Sequence, residues 1–176
     1  MYTTVPLQRA LEEVGLGLFL VTAAYQGEDN VQRSFRVVPL SEKPEPRIGV
    51  AMLTDYKISE LIRGSGQLIV NVSGPVHIPK PRPPRHDRPL VADEFAAIDA
   101  VRMPAALLEA PRVRDCAAYL ECAVEQEVIV QDRSLFVCRV LQCDVDEEIS
   151  PAVRIRGKGL DVTPLLSAAP DARQSH

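Results

Sequence analysis

Apolar and polar positions change their period several times along the chain, and each change marks a new short element. Leu7, Ala10, Leu11 and Val14 recur at i, i+3, i+4 and i+7 behind Pro6, which predicts an amphipathic helix over Pro6 to Val14 with the proline in its first turn. Leu16 to Tyr25 is apolar and carries the β-favouring Phe19, Val21 and Thr22. The polar run Gln26-Gly27-Glu28-Asp29 then reads as a hairpin turn into a second strand, Asn30 to Leu40. That strand sets Arg33 and Arg36 among apolar neighbours, so either part of it faces a polar site or both guanidinium groups are solvated on a sheet edge.

Past the proline-rich bend Lys43-Pro44-Glu45-Pro46, Arg47 to Leu53 reads as a third strand. Thr54 and Asp55 are types that cap helices, Ile58, Leu61 and Ile62 share one helical face, and Gly64 and Gly66 end the pattern. Gln67 to Val72 is again a strand by its Leu-Ile-Val content. Residues 73–90 hold too much proline for an interior helix or strand and read as a long surface loop, made basic by Lys80, Arg82, Arg85 and Arg88 against Asp87. Val91 to Ala100 reads as a short helix with Phe95 and Ile98 inward, and Ala105 to Pro111 leads back toward the core. In Tyr119 to Val124, Leu120, Cys122 and Val124 fall on one face and Glu121, with Glu125 beyond it, on the other. Gln131-Asp132-Arg133-Ser134 is a turn, and Leu135 to Val145 is a long strand, apolar on both faces over Phe136 to Leu141. Six or so antiparallel strands with a few short helices predict a mainly β domain over residues 1–166, closed as a barrel or sandwich, followed by an aperiodic tail, 167–176.

Composition narrows the function more than the fold. At 176 residues and 46% hydrophobic, the chain has material for one core that needs neither disulfide nor metal. A net charge of −4 gives no general attraction to nucleic acid or anionic lipid. No apolar run reaches the roughly 18 to 20 residues of a membrane helix, and Glu12 and Glu13 directly ahead of the longest one argue against a signal peptide, so a cytoplasmic protein is expected. Cys116, Cys122, Cys138 and Cys143 lack the paired knuckles of a zinc site and read as buried thiols. No nucleotide-fold, P-loop, hydrolase-elbow or zincin motif occurs. His77, His86 and His176 fall in loops or at the terminus, with no histidine in the β region to activate a cysteine. Chemistry supplied by the protein alone therefore lacks a candidate, which leaves a bound cofactor or simple binding.

Several stretches, in order, resemble the flavin reductase-like family of FMN-binding split barrels, over roughly Leu11 to Leu165. They are Leu18-Phe19-Leu20-Val21-Thr22 with Asn30 beyond the turn; Ser34, Pro39, Ser41, Pro44 and Pro46; Lys57-Ile58-Ser59-Glu60-Leu61-Ile62; and Gly66-Gln67-Leu68-Ile69-Val70-Asn71. Asp93-Glu94-Phe95 and Ala110-Pro111-Arg112-Val113 through Leu120-Glu121-Cys122 continue the likeness. The resemblance implies a six-stranded antiparallel Greek-key barrel that forms a homodimer, with FMN near the dimer interface. It puts the flavin ring and ribityl chain along Arg33, Ser34, Phe35, Arg36 and Ser41, and the phosphate end at Thr54, Lys57 and Ser59. It further implies NADH or NADPH as hydride donor, free flavin or another acceptor downstream, and a partner monooxygenase. This chain departs from the family at Arg33 (Thr in the family), at Arg36 (an aromatic), at Ile58 (the phosphate-side Thr), and at Gln131-Asp132-Arg133, where many members have Gly-Asp-His. Two other readings remain at this level: a barrel that binds FMN or another anionic small molecule without turnover, and a basic Pro81-x-x-Pro84 loop that serves as an interaction element or a lid.

Overall fold

Leu16 to Tyr25 is apolar without alternation because both faces of its strand are covered, as the computed structural model, which describes residues 16–77, 94–154 and 160–161, makes plain. A short strand β1 (Leu16–Gly17) precedes β2 (Phe19–Tyr25). From β2, Val21 and Ala23 enter one core with Val50, Met52, Phe136 and Cys138, while Leu20 enters a second with Val31, Phe95, Val113 and Tyr119. The β2–β3 turn is two residues long rather than four: Gln26 and Gly27 both have positive φ, 52° and 81°, the combination that matches strand twist in tight hairpins, and Tyr25 pairs directly with Glu28.

The expected strand over Asn30 to Leu40 is in fact two strands, β3 (Glu28–Ser34) and β4 (Val37–Ser41). After them come β5 (Arg47–Leu53), helix α1 (Lys57–Ser65), β6 (Gln67–Ser73), the brief helix α2 (Glu94–Ala97), β7 (Arg102–Met103) and β8 (Arg112–Val113). The long pair β9 (Cys116–Val130) and β10 (Arg133–Val145) follows, then β11 (Val153–Arg154) and β12 (Leu160–Asp161). The main sheet is antiparallel with the order β3-β2-β6-β9-β10-β5-β4. Its two outermost strands are separated in sequence by Phe35 and Arg36 alone, so the chain crosses from one edge to the other within two residues and the sheet closes into a barrel. Three bonds hold the crossing. The Ala51 N–H donates to the Arg36 carbonyl at 2.9 Å, the Ser34 hydroxyl donates to the Ala51 carbonyl at 3.4 Å, and the Arg36 N–H donates to the Ser34 hydroxyl at 3.1 Å. The break accounts for seven strands in the main sheet where six were expected.

Helix α1 presses Ile58, Leu61 and Ile62 into the barrel core, as its spacing predicts. Its cap differs from expectation: neither Thr54 nor Asp55 but Tyr56 is the N-cap, and no side chain bonds there. Gly64 does not stop the helix either. It lies within the last turn, where a Cβ would run into the Tyr25 ring, and the stop is Gly66, left-handed at φ 67° with its N–H donating to the Ile62 carbonyl. The second helix ends at Ala97 rather than Ala100 because Asp99 turns left-handed at φ 55°, though Phe95 is buried and Ile98 packs beside it as foreseen; residues 91–93 of the expected helix lie outside the described residues.

Glu121 is the largest departure from the sequence pattern. Expected on a solvated face with Glu125, it is fully buried at 0% exposure. Its carboxylate accepts the N–H groups of Ala106, Leu107 and Leu108 at 2.7–3.1 Å and the Arg112 Nε–H at 2.8 Å, while Arg112 also pairs with Asp144. Cysteine burial is corrected too. Cys116, Cys122 and Cys138 are buried, and Cys143 is exposed on β10. Among the described residues no helix is long and apolar enough to cross a membrane. The expected helix at 6–14, the basic part of the proline-rich loop and the tail at 167–176 lie outside the described residues.

Candidate functional site

Where β3 crosses to β4 beside β5, the barrel wall holds a cleft of about 290 Å³. Arg33, Ser34, Phe35 and Arg36 form its rim on the crossing side. Ala51, Met52 and Leu53 of β5 make the floor, Tyr56 closes one end, and Arg133, the first residue of β10, stands opposite the crossing. The position of Arg133 follows from register: it pairs with Leu53 across the β5–β10 ladder. The turn after β5 is tied to the same corner. The Thr54 N–H donates to the Asp132 carbonyl at 2.9 Å, and Arg63 of α1 donates to the Thr54 carbonyl, to Glu127 and to the Ser134 hydroxyl.

The structure thus gathers Arg33, Ser34, Phe35 and Arg36 in one place and sets the other expected site residues elsewhere. The Ser41 hydroxyl donates to the Glu45 carbonyl at 3.1 Å. Thr54 Oγ1 accepts from the Ser134 hydroxyl at 3.2 Å. Lys57 is exposed and pairs with Glu28 at 2.7 Å and Glu60 at 3.8 Å, the Glu28 bond holding its ammonium above the usual lysine range. Ser59 is buried, and its hydroxyl donates to the Leu53 carbonyl at 2.8 Å. Met52, Leu53, Tyr56 and Arg133 are cleft residues that the sequence pattern did not nominate as site residues. Only Arg133 carried a signal, its departure from the family's turn.

Charge is the plainest property of the cleft. Arg33, Arg36 and Arg133 are among its lining residues and no acidic residue is, on a chain whose net charge is −4. The Arg133 guanidinium meets Asp132 only at 3.7 Å, with Asp132 largely exposed, an arrangement worth about 0–1 kcal/mol that does not commit the cation. Phe35, Leu53 and Tyr56 supply apolar and aromatic contact area in the same lining. A planar conjugated ring bearing an anionic tail matches this donor set, so the residues present fit a phosphorylated flavin.

On the outer face of the barrel the cleft continues into an apolar patch. Val50 points into the core, so Gly49 and Ala51 face outward. A Cβ at Gly49 would touch Val38, Leu40 and Leu135, which shows these side chains clustered over the glycine. Val38 and Leu40 are 50% exposed, and Val128, paired with Leu135, is 37% exposed.

A second polar cluster surrounds His77, which the charge of Arg33 also reaches. The buried His77 brings Nδ1 to 3.8 Å from Cys116 Sγ, so one cysteine does have a histidine neighbour, contrary to expectation. Burial holds His77 below the ordinary imidazole value and pushes the Cys116 thiol up to about 12. A neutral imidazole beside a neutral thiol is a packing arrangement, without an activated nucleophile.

A family profile described as flavin reductase like domain matches residues 11–166. The chain belongs to that family. No curated protein matches it in sequence. Among solved structures of similar fold, the NADH:FAD oxidoreductase SgcE6 of Streptomyces globisporus C-1027, in complex with NAD and FAD fragments, gives a TM-score of 0.71 at 20% identity, covering 95% of this chain and 93% of that one. Nitrilotriacetate monooxygenase component B of Bacillus cereus gives 0.70 at 16% identity, over 92% and 95%. The styrene monooxygenase flavin reductase of Pseudomonas putida S12 gives 0.66 at 20%, over 86% and 93%. At such identities these are likenesses of fold, and they agree with the mainly β barrel that this flavin reductase-like chain forms.

Proposed function

We propose that this chain is an NAD(P)H-dependent flavin reductase that holds FMN in the cleft at the β3–β4 crossing. The observation that carries the reading is that Arg33, Arg36 and Arg133 all line one cleft that no Asp or Glu lines, in a chain of this family. When bound, the flavin supplies the two-electron chemistry, which the protein's own side chains lack. The residues' part is to bind and orient. Phe35 and Leu53 offer apolar contact to the ring, and Arg33 and Arg36 supply the positive charge that favours the edge that becomes anionic on reduction. The Ser34 hydroxyl holds the crossing so that both arginines keep their direction. The phosphate end belongs with the corner formed by Tyr56, the start of α1 and Arg133, where Thr54 and Ser59 fix the backbone through the Asp132 and Leu53 carbonyls and Lys57 adds charge nearby.

A visible spectrum with added FMN, followed by anaerobic NADH and then NADPH, tests this directly. A flavin that binds and bleaches with one donor is the expected result. Binding without bleaching by either donor would replace the reductase with a flavin carrier, and failure to bind would remove the flavin.

A homodimer completes the proposal. Val38, Leu40 and Val128 form an exposed apolar patch on the same outer face as the cleft, and a second copy docked there would cover both. Sedimentation at micromolar concentration should read two chains per particle, and a monomer would sink the dimer. Of the solved structures named above, one is the flavin reductase of a styrene monooxygenase and another is component B of a nitrilotriacetate monooxygenase, which supports a monooxygenase as the consumer of reduced flavin.

A further inference from the structure

The binding scheme above sets Arg133 at the phosphate corner without saying what it selects. Lys57, the cation that the sequence places at the phosphate end, is exposed and engaged by Glu28 and Glu60. Ser59 directs its hydroxyl inward to the Leu53 carbonyl. Arg133 is placed at the same corner by two independent constraints: its register opposite Leu53, and the bond from the Thr54 N–H to the neighbouring Asp132 carbonyl. Arg36 flanks β5 on the other side, its carbonyl bonded to the Ala51 N–H. One cation therefore comes from the β4 side of β5 and another from the β10 side. Two strand spacings, about 10 Å of backbone, separate those sides. Long arginine side chains on either side of β5 can converge on one phosphate held over that strand, or grip a diphosphate at both ends.

We propose that Arg133 is a specificity-determining residue, which with Arg36 makes the cleft select a phosphorylated ligand over its neutral counterpart. The proposal rests on the flavin reading only for the identity of the ligand. The selection itself follows from charge placement, since a planar fork on a β-strand can bind a phosphate bidentately and gains nothing from a neutral alcohol. The phosphate could belong to the flavin or to the diphosphate of a nicotinamide dinucleotide, and the two are separable.

The test is calorimetric titration of wild type, Arg133→Gln and Arg133→Lys with FMN, riboflavin, ADP-ribose and inorganic pyrophosphate, at low salt and at 0.5 M salt. ADP-ribose stands in for the donor without its nicotinamide. Expected for a clamp on the flavin phosphate: FMN binds wild type at least tenfold more tightly than riboflavin, salt narrows that gap, Arg133→Gln removes about tenfold of FMN affinity, Arg133→Lys restores part of it, and riboflavin moves by less than twofold. The same pattern with ADP-ribose in place of FMN would assign the clamp to the donor. Equal losses for FMN and riboflavin in Arg133→Gln, or no change in any titration, would overturn the proposal while leaving the flavin reading intact. Pyrophosphate binding that depends on Arg133, with neither flavin bound, would keep the clamp and remove the flavin. Absence of binding by all four ligands would remove both.

Discussion

Replacing Glu121 with alanine is expected to lower stability by about 3–5 kcal/mol, the cost of leaving a buried charge without its partner. Glu121 is fully buried, and Arg112 beside it is 10% exposed, so neither water nor salt can take over the lost contacts. Three backbone N–H groups, those of Ala106, Leu107 and Leu108, would lose their acceptor together. Each such group costs about 1–3 kcal/mol when orphaned, less wherever the loop relaxes toward solvent. Against a typical total of about 5–15 kcal/mol, the change removes a large part of the folding free energy. Asp144 also bonds Arg112, so Glu121→Gln should lose less than Glu121→Ala, because the amide oxygen still accepts and Asp144 keeps the guanidinium partly compensated. Urea unfolding of the three proteins measures this, and a midpoint for Glu121→Ala within experimental error of wild type would refute the account.

The same carboxyl predicts a pH dependence. Burial alone would raise its pKa, but the Ala106 and Leu107 amides and the Arg112 guanidinium outweigh burial and hold it below the ordinary carboxylate value. A depressed folded pKa means that the contribution is fully present above the unfolded value of about 4.3 and is lost as pH falls through the lower folded value. Wild type should lose stability in acid faster than Glu121→Gln does. Parallel curves for the two proteins below pH 4.3 would contradict it.

Alanine at both Arg33 and Arg36 is expected to weaken FMN binding by a factor of about 100 or more. A hydrogen bond to a charged group contributes about 1.5–3 kcal/mol, and two of the smaller size give about 3 kcal/mol, somewhat over a hundredfold in affinity. The side chains line the cleft together, while the backbone between them is held by bonds through Ser34 and Ala51 that alanine at either position leaves in place. The double variant should therefore keep the barrel, read as a cooperative thermal transition in the absence of ligand. Fluorescence titration of FMN is the measurement, with the reduction rate read beside it. Unchanged affinity together with an unchanged rate would move the flavin away from this crossing.

Much of the barrel was legible from local chemistry. The β-favouring run before Tyr25, the Gln26-Gly27 turn, the shared face of Ile58, Leu61 and Ile62, and the long strand over Leu135 to Val145 each depend on near neighbours in the chain. Arg33 and Arg36 were legible for the same reason, since cations in an apolar strand are conspicuous without knowledge of the fold. Features that depend on long-range pairing were hidden. The split of one apparent strand into β3 and β4 follows from barrel closure, because the backbone must leave one edge and join the other between Ser34 and Val37. Lys57 and Ser59 have the right chemistry for a phosphate, but Glu28 and the Leu53 carbonyl claim them first.

The sequence by itself determined where the chain is extended, where it turns, and which positions carry charge, because those properties lie in the backbone preferences and side chains of a few consecutive residues. Only the tertiary structure decided that Glu121 is buried and that Arg133 shares a cleft with Arg33 and Arg36. Alternation along a strand tells which residues share a face, and it is silent about what covers that face. Cover for Glu121 comes from a loop 13–15 residues away and from Arg112. The cleft brings together residues about a hundred positions apart, through ladder register that no local pattern encodes.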